Sequence, residues 1–317
     1  MLSNSKNNSS TVQRGSILAY FFNTLFVLFV FLGALSSCTK ETTPPTHNNN
    51  TNDTTATSDL TDTTLLNVSY GTDEEQKYDI YLPEGRSDST PVILMIHGGA
   101  WKAGQKEDFN PYIQLIQNKW KNVAIVNLNY RLASNANNIH HAEIMQDIKA
   151  AIGDVLAKKD TYHISEKMGI VGASAGGQLA MIYAYKYNDY HNIECVGNIF
   201  GPSIINDWAW YSSFNLWLGA NVSDIITEYV GQPWDSTAYA NVSPYLQVSE
   251  SSQPTIIFHG SLDPIVPVYQ SQWFRNKLNG LNVTNEYYEY FAFHGFDATQ
   301  STDAVQKMVA FFQPFLE

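Results

Sequence analysis

The segment from Met168 to Gly177 constrains this chain more than any other. A short apolar run, Met168 to Val171, leads without a break into Gly172-Ala173-Ser174-Ala175-Gly176-Gly177, and the residues from Ser174 to Tyr187 read as a helix. A strand that turns within a few residues into a helix needs a tight connection, and glycines on both sides of Ser174 remove the side chains that would clash there. The turn pushes the Ser174 hydroxyl out of the sheet and towards the helix amino terminus. Two further apolar runs, Pro91 to Ile96 and Val123 to Leu128, have the continuous character of strands buried on both faces.

The rest of residues 65–317 keeps the same rhythm. Gln76 to Leu82 alternates as a half-buried strand, and His141 to Lys158 carries Ile144, Ile148, Ala151, Ile152, Val155 and Leu156 on one helical stripe. Strands are expected at Val196 to Phe200, Thr255 to Phe258 and Val283 to Phe291, with helices over Val268 to Leu278 and Asp303 to Phe315. Strands alternating with helices imply an α/β domain with a mostly parallel central sheet covered on both faces. Residues 201–253 break the alternation and are rich in Trp, Tyr, Asn and Ser, so they are expected to form a small cap insertion at the carboxyl edge of the sheet. Eighteen basic against 30 acidic side chains give a net charge of -12, which disfavours nucleic acid as a partner. Two cysteines, Cys38 and Cys195, supply neither a disulfide framework nor a cysteine metal site, and the reading needs no cofactor and no metal.

A second glycine-rich turn follows the first buried run. In His97-Gly98-Gly99-Ala100-Trp101 the glycines let backbone N–H groups face outward, and those of Gly98, Gly99 and Ala100, with that of Ala175, can converge on an oxygen that acquires charge. His97 lies before the turn and reads as a residue that organises the loop.

With these two motifs in place the chain resembles the α/β-hydrolase superfamily, in the esterase branch carrying H-G-G-x-W and G-x-S-x-G-G. The likeness covers essentially all of residues 65–317. It implies a nucleophile, acid and base in that order along the chain. Ser174 is then the nucleophile. Asp263 falls in His259-Gly260-Ser261-Leu262-Asp263-Pro264-Ile265-Val266-Pro267, similar to the family's H-G-x-x-D-x-x-V-P stretch, and His294 in Phe293-His294-Gly295-Phe296 matches its H-G-F loop. The residues argue alongside the resemblance, because a serine needs a base that titrates near neutrality and an acid that orients it. Of the eight histidines, His47, His140, His141, His163 and His191 lie in polar tether, helix or loop contexts, and His259 reads as a hydrogen-bonding residue beneath the site. Asp297 and Glu289 compete with Asp263 for the acid, but they neighbour His294 in sequence.

Residues 1–37 read as a lipoprotein signal peptide: Lys6 and Arg14 precede the apolar stretch Ile17 to Leu35, and Leu35-Ser36-Ser37-Cys38 resembles a lipobox. Cys38 is then the lipidation site and the mature end, and the protein an exported bacterial lipoprotein, membrane-anchored in the periplasm or at the cell surface. An uncleaved amino-terminal anchor is the competing reading. Residues 38–64, dominated by Thr, Asn, Asp and Ser, read as a disordered tether.

The H-G-G-x-W form is similar to that of small carboxylesterases, including acetyl-xylan and feruloyl esterases, and of arylformamidases. The leading expectation is a serine carboxylesterase that forms an acyl-enzyme with small or carbohydrate-linked esters. Trp101, Trp208 and Trp210 are the candidate substrate-binding residues, although the aromatic cluster from Asp207 to Trp217 reads first as packing between cap and sheet, then as a sugar platform or an acyl or aryl pocket. An exopeptidase or amidase on the same core is a second reading, and a non-catalytic binding lipoprotein a third.

Overall fold

The structure, a computed structural model, describes residues 60–207, 211 and 221–317. The chain divides between Thr55 and Ala56, and every described residue belongs to the second unit. Cys38, Trp208 and Trp210 lie outside the described residues.

Eight strands form one sheet: β1 (Thr63–Ser69), β2 (Lys77–Leu82), β3 (Val92–Ile96), β4 (Ala124–Leu128), β5 (Met168–Ala173), β6 (Ile193–Ile199), β7 (Thr255–Gly260) and β8 (Asn285–Tyr290). Their order across the sheet is β1-β2-β4-β3-β5-β6-β7-β8. The pairs β1–β2 and β2–β4 are antiparallel, and every later pair is parallel. The helices are α1 (Asn110–Lys119), α2 (His141–Ala157), α3 (Ala175–Ile182), α4 (Val222–Val230), α5 (Ser236–Asn241), α6 (Pro244–Gln247), α7 (Val268–Gly280) and α8 (Ala298–Leu316), with single turns at 106–109 and 159–162.

The period-two geometry of a strand distributes each apolar run between two cores. Val92, Leu94 and Ile96 enter one core with Ile144, Ile148 and Ile152 of α2, Leu179 of α3 and Phe274 of α7. Ile93 and Met95 enter the other with Ile113 and Ile116 of α1 and Val305, Met308, Val309 and Phe312 of α8. This is the two-faced α/β architecture expected from sequence. Between β6 and β7, where an insertion was expected, lie the short helices α4, α5 and α6.

Several elements differ from expectation in extent. The sheet reaches back to Thr63, within the stretch read as tether, because Thr63 and Thr64 pair with Leu82 and Tyr81. The helix after Ser174 is α-helical only to Ile182; residues 183–187 continue as a π turn. The last helix starts at Ala298, five residues earlier than read, because Asp297 caps it: its side chain accepts from the Gln300 amide while Gln300 reaches back, a reciprocal capping box.

Phe312 seats α8 on the sheet. Its ring lies over Gly169 and Gly197, where added Cβ atoms would meet it at 2.6 and 3.4 Å, and it is fully buried. Phe312→Ala is expected to cost about 3–5 kcal/mol, read in urea unfolding as a lower midpoint at unchanged slope.

Candidate active site

Four loops converge at the carboxyl ends of β3, β5, β7 and β8, the edge at which open parallel sheets hold their ligands. Ser174 occupies the turn between β5 and α3 with φ 55° and ψ -124°, a left-handed conformation that a non-glycine residue adopts only when its surroundings enforce it. The enforcement is steric and hydrogen-bonded. A Cβ on Gly172 would lie 2.1 Å from the Gly176 oxygen, and one on Gly176 would lie 2.0 Å from the Ile96 oxygen, so strand and helix approach at a distance only glycine permits. The Ser174 amide donates to the Ile199 carbonyl at 2.8 Å, which ties the turn to β6.

The structure brings Ser174, His294 and Asp263 into one hydrogen-bonded chain. Ser174 Oγ lies 2.8 Å from His294 Nε2, and His294 Nδ1 lies 2.6 Å from Asp263 Oδ2. Nδ1 faces a carboxylate and therefore carries the proton, which leaves Nε2 as the acceptor for the serine hydroxyl. The imidazole packs against Phe200, with ring centroids 4.8 Å apart.

Asp263 is fully committed. Its Oδ1 accepts from the amides of Ile265 and Val266 at 2.8 and 2.9 Å, while Oδ2 takes His294 and, at 3.3 Å, His259 Nε2. Burial by itself would raise this carboxyl. The charge of His294 and hydrogen bonds from His259 and His294 overrule it and hold the group well below the usual carboxylate range. His259 sits beneath Asp263, as read from sequence, with Nδ1 2.7 Å from the Ser271 hydroxyl and Nε2 2.9 Å from the Val266 carbonyl.

The 97–104 loop closes over the other side of the serine. A Cβ on Gly98 would lie 3.1 Å from the Ser174 Cβ, so this backbone lies against Ser174. Gly99 takes φ 107°, and its carbonyl accepts from the amides of Lys102 and Ala103. Ala175 opens α3 directly after Ser174. Ala100 and Trp101 are both left-handed, at φ 53° and 61°, which costs roughly 1–2 kcal/mol for each non-glycine residue.

His97 organises this loop from below. Its Nδ1 bonds the Gly98 carbonyl at 2.7 Å and its ring stacks on Tyr130 at 4.4 Å. Trp101 requires a correction: expected on the substrate side, it is only 5% exposed, its ring stacks on Tyr229 at 4.3 Å and its Nε1 donates to Gln178 Oε1 at 2.9 Å. The indole is committed to the core because the left-handed backbone at 100–101 turns it inward. Gln178 was missed in the sequence reading, although it is the one strongly polar side chain in the wholly buried helix α3. Among the described residues no group of His, Cys, Asp and Glu converges to hold a metal.

Residues 78–278 match the BD-FAE family over 63% of the chain. The chain belongs to the BD-FAE family. Esterase LipC of Mycobacterium tuberculosis is 25% identical over 233 residues, 68% of this chain and 55% of LipC. Kynurenine formamidase of Salmo salar is 26% identical over 203 residues, 61% of each chain. This BD-FAE chain thus spans between about half and three fifths of the length of those curated relatives. Among solved structures, a truncated carbohydrate esterase from gut microbiota shares its fold, with a TM-score of 0.65 and 21% identity over 82% of this chain and 98% of the other.

Burial pushes the His97 imidazole down to about 4. An unfolded histidine takes up its proton near pH 6.5, so between about 6.5 and 4 the unfolded state binds more protons and stability falls as pH falls. The loss attributable to His97 is on the order of 3 kcal/mol across that window. His97→Gln is expected to reduce the slope of unfolding free energy against pH there by about one proton, measured by denaturant unfolding at pH 7, 6, 5 and 4.

Proposed function

We propose that this chain is a serine carboxylesterase that hydrolyses small or carbohydrate-linked acyl esters, of acetyl or feruloyl type, through an acyl-enzyme on Ser174. The observation that carries this reading is the continuous chain from Ser174 Oγ through His294 to Asp263, set at a left-handed turn against the Gly98 backbone. A lone serine is a weak nucleophile at neutral pH, and an acceptor nitrogen 2.8 Å from its oxygen is what activates it.

In this mechanism Ser174 Oγ attacks the ester carbonyl carbon as its proton passes to His294 Nε2. Asp263, held ionised, keeps the proton of His294 on Nδ1 and stabilises the cation that forms. The N–H groups of Gly98, Gly99, Ala100 and Ala175 receive the oxyanion. His294 returns its proton to the leaving alkoxide, which departs as an alcohol. Water, deprotonated by the same nitrogen, then attacks the acyl-enzyme; the acid leaves and the Ser174 proton is restored.

The similarity of this chain to an esterase, and its likeness of fold to a carbohydrate esterase, support ester as the bond and acylated carbohydrate as the substrate class. The loops that carry Asp263 and His294 also carry exposed apolar side chains. Leu262 and Ile265 beside Asp263, and Phe291 and Phe293 beside His294, are exposed, Phe291 to 83%. Apolar side chains on both acid and base loops suit an acyl or aryl group, or the face of a sugar ring. Amide hydrolysis is the second reading, favoured by the likeness to kynurenine formamidase. We further propose that Cys38 bears a lipid that anchors the body to a bacterial membrane, a reading supported by Leu35-Ser36-Ser37-Cys38 after an apolar stretch.

Asp263→Asn is expected to lower kcat by about 10⁴-fold with KM little changed, because the amide permits the wrong imidazole tautomer. Steady-state kinetics on p-nitrophenyl acetate to decanoate, acetylated xylan, methyl ferulate and an acyl anilide, alongside Ser174→Ala, test the substrate reading. Cleavage of the anilide alone would replace ester by amide. For the anchor, Cys38→Ala is expected to abolish palmitate labelling and release the protein from the membrane fraction; labelling that survives would refute it.

A further inference from the structure

We infer that Gln178 is a positioning residue for the oxyanion loop: its buried side-chain amide locks Trp101, and with it the left-handed backbone at Ala100–Trp101, to the nucleophile helix and to α4. The inference rests on the hydrolase reading of Ser174 and deepens it.

Gln178 is fully buried and sits one turn beyond Ser174, whose carbonyl accepts its backbone N–H at 3.2 Å. Its side chain reaches three different segments. Oε1 accepts from Trp101 Nε1 at 2.9 Å and from the Tyr229 hydroxyl at 2.9 Å, and Nε2 donates to the Val242 carbonyl at 2.8 Å. An indole N–H can only donate, so Trp101 fixes which end of the amide faces it. Because the Tyr229 proton is then spent on Gln178, the Tyr229 oxygen must accept from His141 Nδ1, 2.7 Å away. His141 Nε2 is left to accept from the Tyr187 hydroxyl at 3.2 Å, on the π turn that continues α3. Every proton in this buried chain therefore has one direction: Tyr187 to His141, His141 to Tyr229, Tyr229 and Trp101 to Gln178, Gln178 to Val242.

The consequence falls on the loop. Two consecutive left-handed non-glycine residues persist only if neighbours over-determine them. Here the neighbours are Gln178, the Tyr229 ring stacked on Trp101, the Ala133 amide donating to the Trp101 carbonyl at 2.8 Å, and the ion pair of Lys102 with Glu228. Two of the four come from α4, so the insertion between β6 and β7 braces the oxyanion loop. An apolar side chain in place of Gln178 leaves the indole N–H, the Tyr229 hydroxyl and the Val242 carbonyl without their partner. The loop is then free to swing its amides away from the oxygen they must meet. The hole acts on the transition state more than on bound ester, so kcat should fall while KM holds.

The test uses purified protein with Gln178→Leu, Trp101→Phe and the double variant. Steady-state kinetics on p-nitrophenyl acetate are combined with thermal unfolding and with hydrogen exchange of the Trp101 indole N–H by NMR. The expected result is a fall in kcat of roughly 100-fold in Gln178→Leu with KM within threefold. The double variant should be no worse than the single ones, and the indole N–H should be protected only in the parent. Should Gln178→Leu not fold, Trp101→Phe, which keeps the aromatic stack, decides alone by the same kcat loss. Retention of kcat within twofold in a folded variant, a loss confined to KM, or losses that multiply in the double variant would overturn the inference. If the parent turns over no ester, the esterase reading fails by itself, and the positioning claim is judged on exchange: unchanged indole protection in Gln178→Leu overturns it.

Discussion

A serine forced into a left-handed backbone between a buried strand and a buried helix is the constraint on which the site depends. The conformation is unfavourable in itself, and packing enforces it: Gly172 and Gly176 let β5, α3 and the end of β3 approach within distances no side chain allows. The Ile199 carbonyl holds the Ser174 amide from β6. Because β3, β5 and β6 adjoin in the sheet, the same contacts that strain Ser174 bring the 97–104 loop beside it. Strain at Ser174 and the placement of the glycine-rich loop beside it are thus one structural event.

The other two members of the hydrogen-bonded chain are organised differently. Asp263 and His294 lie on loops at the ends of β7 and β8, joined by the Leu262 amide donating to the Ala292 carbonyl at 3.0 Å. Asp263 is held by four donors, two from its own loop and one from each of two histidines. That saturation lets a buried carboxylate remain charged, since an ion removed from water needs compensating donors. His259, near the carboxyl end of β7, lies 3.3 Å from Asp263 Oδ2, which gives the histidine of the H-G-x-x-D stretch a part in holding that carboxylate.

Much of this was legible in the sequence because short apolar runs ending in glycine mark buried parallel strands, and the side chains of chemistry follow those ends directly. Ser174 could be placed that way, whereas Asp263 and His294 were placed by the resemblance of 259–267 and 293–296 to the family's H-G-x-x-D-x-x-V-P and H-G-F stretches. The edge strand β1 could not: Leu65 and Leu66 are exposed there, so the segment has no alternating pattern, and only pairing with β2 defines it. Trp101 was misread because an aromatic residue beside a glycine turn gives no sign of its direction. Two successive left-handed residues turn it inward, and that conformation is enforced by residues distant in sequence. Gln178 and Tyr229 escaped notice for the same reason, since their partners lie 77 and 51 residues from Gln178. Cys38, Trp208 and Trp210 lie outside the described residues.

The central claim is that Ser174 is a nucleophile activated by His294. The measurement that reaches it most directly is covalent: incubate the protein with an alkyl fluorophosphonate, record the intact mass, and map the adduct by peptide sequencing. One adduct per chain is expected, on the peptide containing Ser174, forming rapidly at pH 8, slowed strongly by His294→Gln and absent in Ser174→Ala. An unlabelled folded protein, or an adduct that persists in Ser174→Ala, would contradict the account.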